Sequence, residues 1–458
     1  MEKITLKELI NATGGKFIFG DPDSNILNVS TDTRHVHSGD IFFALKGKNF
    51  DAHTFIGKAI EKGSSGLVLA RMSEEISKYF PKIPSVVIVK DTLKALGDFA
   101  SYYKKKIAPV TIAITGSSGK TTTKEIIYSI LKNKAPTLAS FKNYNNLIGV
   151  PLTLFNLKQE HKYCILELGV SVPGEMDRLA DIACADVGII TNIGKTHLEY
   201  LGSPEQVFHE KSKLFASLPV KGVAVINIDD PLLVGLKSSL KCKMVTYGLI
   251  DSANVSAYDI QIGEGRTFFK LKLNKEIIDI NLSLPGRFNV MNALAAAAAC
   301  FSLGVDNNII KRGLEEFTGI DMRMEKIESP SGSLLINDAY NANPDSMRQA
   351  ISYFVEGYPG KKKIVVIGDM LELGKYAENE HKLLGDFLAG LPLENIYLYG
   401  NMMKQVKENS KLKNVRHFND QEGLLSVLKR KLNKNTVVLF KASRGMGLEK
   451  TIGKILRP

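Results

Sequence analysis

Short apolar runs, each followed by a stretch in which hydrophobic positions recur every three or four residues, set the rhythm of this chain. They fall at 41–45, 66–70 and 85–89. A second series occupies 110–114, 163–168, 187–193, 223–227 and 244–247, and a third lies at 334–337, 364–367, 396–399 and 437–440. Strand alternating with helix predicts parallel sheets whose ligands gather at the carboxyl ends of the strands. Two stretches break the rhythm. Segments 269–273 and 278–282 alternate with period two, which predicts an antiparallel hairpin added to the middle sheet, and 292–301 is an alanine-rich helix suited to close packing. The basic cluster Lys104-Lys105-Lys106, followed by Pro109, predicts a linker between the first and second units.

The turn after 110–114 carries the clearest chemistry. Gly116, Ser117, Ser118, Gly119, Lys120, Thr121 and Thr122 read as a phosphate cradle. Glycines let the backbone approach a polyphosphate, helix-opening amides point at its oxygens, Lys120 reaches the outer phosphates and Thr121 can hold Mg²⁺. Only the short form T-G-x-x-G-K-T is present, because Ile114 stands where the longer pattern has glycine. Strand, turn and helix nevertheless fall where nucleoside triphosphate binding needs them.

At 458 residues the chain is long enough for two to four domains. Cys164, Cys184, Cys242 and Cys300 are widely spaced and read as small core residues of a reducing compartment, with neither zinc nor disulfide spacing. The charged opening MEKITLKELI and the lack of a long apolar segment predict a cytoplasmic protein without membrane insertion. A net charge of +12 would allow nucleic acid, but the lysines are scattered and not interleaved with aromatics. A positive field that attracts polyanionic small substrates accounts for the charge without nucleic acid.

Glu167, at the end of the 163–168 run, is placed where a carboxylate can ligate Mg²⁺; an exposed strand-end acid is the plainer alternative. His197 follows the 187–193 run on the same side of the sheet, without a second histidine at zinc spacing. By position alone Lys211 reads as a surface lysine.

T-G-S-S-G-K-T-T-T-K-E, N-Y-N-N-L-I-G-V-P-L-T, E-L-G-x-x-x-x-G-E and T-N-I-G-x-x-H-L-E, in this order and spacing, resemble the Mur ligases, which add amino acids or peptides to the cell-wall precursor. A-Y-N-A-N-P-D-S-M, G-D-M-L-E-L-G and K-A-S-R-G-M-G-L-E look like the branch that joins D-alanyl-D-alanine to UDP-N-acetylmuramoyl-tripeptide. The resemblance implies a three-domain α/β architecture. A small α/β UDP-binding domain would occupy 1–107, a central P-loop ATPase-like parallel-sheet domain with an added β-hairpin 108–318, and a C-terminal Rossmann-like domain 319–458. It further implies a cytoplasmic enzyme that works as a monomer on UDP-N-acetylmuramoyl-tripeptide and D-alanyl-D-alanine.

By resemblance, Lys120 contacts the ATP phosphates, Thr121 and Glu167 hold Mg²⁺, and His197 belongs to a second Mg²⁺ site. Lys211 matches a lysine that the family carbamylates, Asn289 and Asn292 match nucleotide contacts, and Phe288 replaces the usual histidine. Arg323 corresponds to an arginine at the γ-phosphate and Asp338 to an acid near the ribose. Asp32, Thr33, Arg34, Lys46, Gly47 and His53, together with Asn145 and Asn146, correspond to substrate-binding positions. A folylpolyglutamate synthase-like ligase and a P-loop ATPase switch are the alternatives, separated by whether turnover requires a peptide acceptor.

Overall fold

Asp40–Phe43 and Gly66–Leu69 are buried along their whole length, as runs without polar alternation should be, and they sit inside a five-stranded sheet. This computed structural model describes residues 1–47, 50–72, 74–79, 84–263, 265–408 and 411–457. The strand order of the first sheet is Lys16–Phe19, Ser85–Ile88, Gly66–Leu69, Asp40–Phe43, Asn28–Ser30, parallel except for the first pair. Lys16–Phe19 is an exposed edge strand whose apolar run is only Phe17, Ile18 and Phe19, and the three-residue Asn28–Ser30 has no apolar run to announce it.

The central sheet has nine strands, with Val110–Thr115 lying between Val187–Ile190 and Tyr163–Glu167. The phosphate loop and the carboxyl ends of its two neighbours therefore open on the same edge. The hairpin is Thr267–Leu273 paired with Glu276–Leu282, and a third strand, Val255–Ile262, joins it to the parallel part. That third strand escapes the sequence pattern because it changes from buried to alternating halfway along. Arg287–Ser302 lies against Lys120–Leu131, and its buried alanines allow the two helices to approach closely.

The structure corrects the linker. Lys104, Lys105 and Lys106 form the last turn of the helix Thr92–Ile107, where cations suit the carbonyl end of a helix. Lys104 is buried and donates to the Cys184 carbonyl at 2.8 Å, while Lys106 pairs with Glu8 at 2.7 Å. On the apolar face of this helix Phe99 packs on Phe155 at 5.3 Å and the Tyr103 hydroxyl donates to the Leu157 carbonyl at 2.7 Å. One hydrophobic core thus runs from the first sheet into the central one.

The third sheet runs Glu325–Glu328, Leu334–Asn337, Thr436–Lys441, Lys362–Gly368, Asn395–Tyr399, Val415–Phe418, parallel apart from its first edge. Among the described residues no helix is long and apolar enough to cross a membrane.

Candidate active site

The phosphate loop is shaped by two glycines that no other residue could replace without movement. Gly116 has φ +145° and a Cβ there would stand 1.9 Å from Thr191 Oγ1; Gly119 has φ +80° and its Cβ would stand 2.2 Å from Asn292 Oδ1. Between them the Ser118 amide donates to Asn192 Oδ1 at 3.0 Å. The helix Lys120–Leu131 then opens with no side-chain cap, which leaves its first amides for a ligand. Lys120 Nζ donates back to the Gly116 carbonyl at 2.7 Å. Burial pushes its ammonium below the ordinary lysine range, Glu167 pulls it up and Arg323 adds to the depression.

Ser118, Gly119, Lys120 and Asn192 line a cavity of about 340 Å³. Thr191 to Gly194 form one wall, Leu284, Phe288, Met291 and Phe317 an apolar one, and Arg323, Asp338 and Asn343 reach in from the third unit. Asn289 and Asn292 are buried in the wall: Asn289 Nδ2 donates to the Pro285 carbonyl at 2.8 Å, and Asn292 Nδ2 to Asn289 Oδ1 at 3.2 Å. Phe288 meets Tyr353 edge-on, with ring centroids 6.3 Å apart.

Glu167 is not an exposed strand-end acid. It is 2% exposed; Oε1 accepts from Asn145 Nδ2 at 2.9 Å, and Oε2 is buried without a partner. An orphaned carboxylate oxygen is costly unless a cation completes it. With Thr121 on the helix start, the donor set is all oxygen, which fits Mg²⁺ completed by phosphates and water. Among the described residues no group of three or more His, Cys, Asp or Glu forms a ready metal cage, so the protein alone does not make a closed site.

Lys211 overturns the surface reading by position. It lies in the helix Pro204–Ala216, is 1% exposed, and its ammonium makes no hydrogen bond or ion pair among the described residues. Burial drives its pKa well below the ordinary lysine range, Lys120 lowers it further, and Glu210 opposes them. Glu210 is committed elsewhere, accepting from the Gly174 and Met176 amides at 2.9 Å each and from Lys213 at 2.7 Å. The signal was in the sequence: Val207, Lys211, Leu214 and Phe215 share one helical face, and the other three are apolar.

The third unit sits on this loop. Arg323 Nη2 donates to Thr121 Oγ1 at 3.2 Å, and Asn343 Nδ2 to Ser118 Oγ at 3.1 Å. Lys195 Nζ meets the buried Glu380 at 2.6 Å, and Glu380 also faces Arg348. His197 hydrogen-bonds Glu372 at 2.6 Å, not Glu167 or Lys211, and this bond holds the Glu372 carboxyl below its ordinary range. Asp338 pairs with the buried Lys441 at 2.6 Å. Lys441, Asn343 and Lys195 were not singled out as site residues, because their partners lie more than a hundred positions away.

The first-unit residues stand apart from the cavity. Asp32 caps the turn that contains Thr33 and grips Arg34, whose guanidinium is otherwise open to solvent. Lys46 and Gly47 are exposed, and the Gly47 amide donates to the Phe50 carbonyl at 2.7 Å. His53 is buried with both ring nitrogens engaged: Nδ1 lies 2.7 Å from Asp51, and Nε2 accepts from the Ala70 amide at 2.9 Å. Because Nε2 accepts, the ring proton sits on Nδ1 and points at Asp51. Asn145 serves Glu167, and Asn146 Oδ1 accepts from the Ile148 and Gly149 amides at a helix start.

One titration follows. The hydrogen bond from Arg34, strengthened by the Arg34 amide and opposed by slight burial, holds the Asp32 carboxyl at about 2, against an ordinary 3.8. Its stabilising effect is present above the ordinary carboxylate range and disappears as pH falls through about 2. Carboxyl-carbon NMR should report that midpoint, and Arg34→Gln should return it towards 3.8; an unshifted Asp32 in the unaltered protein contradicts the pairing.

Comparison with known proteins locates two family models on the chain: the Mur ligase middle domain over residues 114–300 and the Mur ligase, glutamate ligase domain over 322–444. A Bacillus subtilis protein named UDP-N-acetylmuramoyl-tripeptide--D-alanyl-D-alanine ligase is 34% identical, over 100% of this chain and 99% of its own. A crystal structure of MurF from Acinetobacter baumannii matches with a TM-score of 0.93 at 33% identity, covering 100% of both chains. MurF ligase from Thermotoga maritima, solved in complex with ADP, matches with a TM-score of 0.84 at 27% identity, over 94% of this chain and 97% of that one.

Proposed function

This chain belongs to the Mur ligase family, and from that membership we propose a division of labour among its residues for one reaction. The reaction is the ATP-dependent joining of D-alanyl-D-alanine to UDP-N-acetylmuramoyl-tripeptide, a step of peptidoglycan synthesis. The observation that carries it is the extent of the likeness: relatives of this one branch align along the whole chain, first unit included.

The tripeptide carboxylate attacks the γ-phosphorus of ATP, ADP leaves, and the acyl phosphate is then attacked at its carbonyl by the amine of D-alanyl-D-alanine, expelling phosphate. Two anions must meet in the first step. Lys120 and Arg323, facing the cavity from the central and third units, offset that repulsion and stabilise charge spreading over the transferred group. Asn289 and Asn292 would lie beside the nucleoside, with Phe288 providing apolar contact where the family usually has histidine. Asp338, held by Lys441 at 2.6 Å, would meet the ribose. Contacts of Asn343 and Lys195 keep the third unit on the loop and water away from the acyl phosphate.

Thr121 and Glu167 would hold Mg²⁺, which supplies positive charge to the phosphates. Support comes from the unpartnered Oε2 of Glu167. Carbamylation of Lys211 is favoured by the same burial that depresses its pKa, since the neutral amine is the form that adds CO₂ with loss of a proton. The product is an anion in the neighbourhood of Lys120 and would serve a second Mg²⁺ site. His197 would join that site through Nε2, with Nδ1 kept on Glu372, the kind of carboxylate partner that orients a metal-binding imidazole. Dependence on ATP and a nucleotide-linked substrate supports a cytoplasmic setting, in which the chain would act as a monomer.

Phosphate release coupled to mass spectrometry of the product tests the reading. Steady turnover should require the UDP-linked tripeptide and D-alanyl-D-alanine together, with free D-alanine a poor substitute, because in-line transfer needs a placed carboxylate and release needs a placed amine. Faster ATP turnover with L-glutamate and a folate, or with no acceptor, would assign the chain to another ligase or to an ATPase switch.

A further inference from the structure

Arg323 is presented in an unusual way. Met322 and Met324, on either side of it, both have left-handed backbone, at φ 59° and 54°, a conformation that costs energy for side chains of this kind. Its guanidinium has no carboxylate partner among the described residues. What holds it is the Thr121 hydroxyl at 3.2 Å and the face of Tyr340, whose ring centroid is 4.3 Å from the guanidinium carbon. A second guanidinium, Arg444, stands over the same ring at 5.8 Å and is itself tied to Glu449 at 3.5 Å.

We propose that Tyr340 is a positioning residue for the ligation: its ring fixes the plane of Arg323, so that the guanidinium meets the phosphate loop with its remaining donors free for the transferred phosphoryl group. This rests on the reading of Arg323 as the outer-phosphate arginine. A carboxylate in the place of Tyr340 would hold the arginine more tightly, but it would occupy its donors and cancel its charge. An aromatic face orients the cation and leaves both available. The Tyr340 ring remains neutral because burial raises its hydroxyl pKa against the opposing effect of the two arginines. The arginine and its aromatic support are separate in sequence and meet only because Leu334–Asn337 pairs with the edge strand Glu325–Glu328.

The test uses full-length protein and steady-state kinetics in ATP. Tyr340→Leu should lower kcat on the order of ten-fold, with a smaller change in the KM for ATP, and Tyr340→Phe should recover most of the loss. In an Arg323→Lys background, which lacks the planar group, Tyr340→Leu should cost less than two-fold by the same reasoning. Phenylalanines of rising fluorination at position 340 should lower kcat stepwise, and they keep ring size should the leucine variant fold poorly. The proposal is overturned if Phe is as damaging as Leu, if fluorination has no effect, or if the two losses simply add. If Arg323→Ala itself leaves kcat unchanged, it is the outer-phosphate reading of Arg323 that fails.

Discussion

Lys120→Ala should lower turnover by about 10²- to 10³-fold, the usual cost of removing one preorganised donor from developing negative charge. The lysine is half-buried against the phosphate loop, where partial exclusion of water strengthens its effect on a phosphoryl group. The fold should be indifferent. The side chain contributes only one hydrogen bond, to the Gly116 carbonyl, and the loop is shaped by Gly116, Gly119 and the Asn192 contact. Removing a half-buried ammonium whose charged form is disfavoured also relieves part of a desolvation cost. The check pairs single-turnover phosphate release with thermal unfolding: near-normal turnover, or a collapse of stability that explains the lost activity, would count against the assignment.

Lys211→Ala should lose at least 10-fold, and up to about 100-fold, in activity, the range seen when a group that orients a metal is removed. Short carboxylic acids should restore part of it, because the shortened side chain leaves room for an anion where the carbamate would stand. Lys211→Arg should respond less, since its guanidinium still fills the space and stays cationic. Carbon-13 NMR with labelled CO₂ should show a carbamate in the unaltered protein. It should be retained at alkaline pH and lost as pH falls through the depressed amine pKa, where the amine becomes protonated and no longer adds CO₂. Full activity of Lys211→Ala without rescue, or no carbamate signal, would leave Lys211 as a buried lysine with no part in metal binding.

The contrast between Lys120 and Lys211 shows what was legible before folding. Lys120 belongs to a local device: strand, two glycines and helix start are contiguous, so the residues that create the anion site also advertise it. Lys211 stands among charged neighbours in E-K-S-K, and only its register with Val207, Leu214 and Phe215 betrays an inward direction. Glu167 could be placed at a strand end, but not its orphaned oxygen, which depends on Asn145 arriving from another loop. His53 matched a substrate motif, yet its ring nitrogens are taken by Asp51 and Ala70.

From sequence alone most elements and their order are legible, short or half-buried strands such as Asn28–Ser30 and Val255–Ile262 excepted, because hydrophobic period, glycine position and helix starts act over a few residues. Parallel sheets and a phosphate loop at their carboxyl edge follow from that local code. Only the tertiary structure decided which of these ends face one another: Arg323 on Thr121 and Tyr340, Asn343 on Ser118, Glu380 on Lys195, Lys104 as a packed helix end in place of a linker. Those pairings join residues far apart in the chain, so they depend on crossover geometry and on the burial of whole faces, neither of which is carried by any short stretch of sequence.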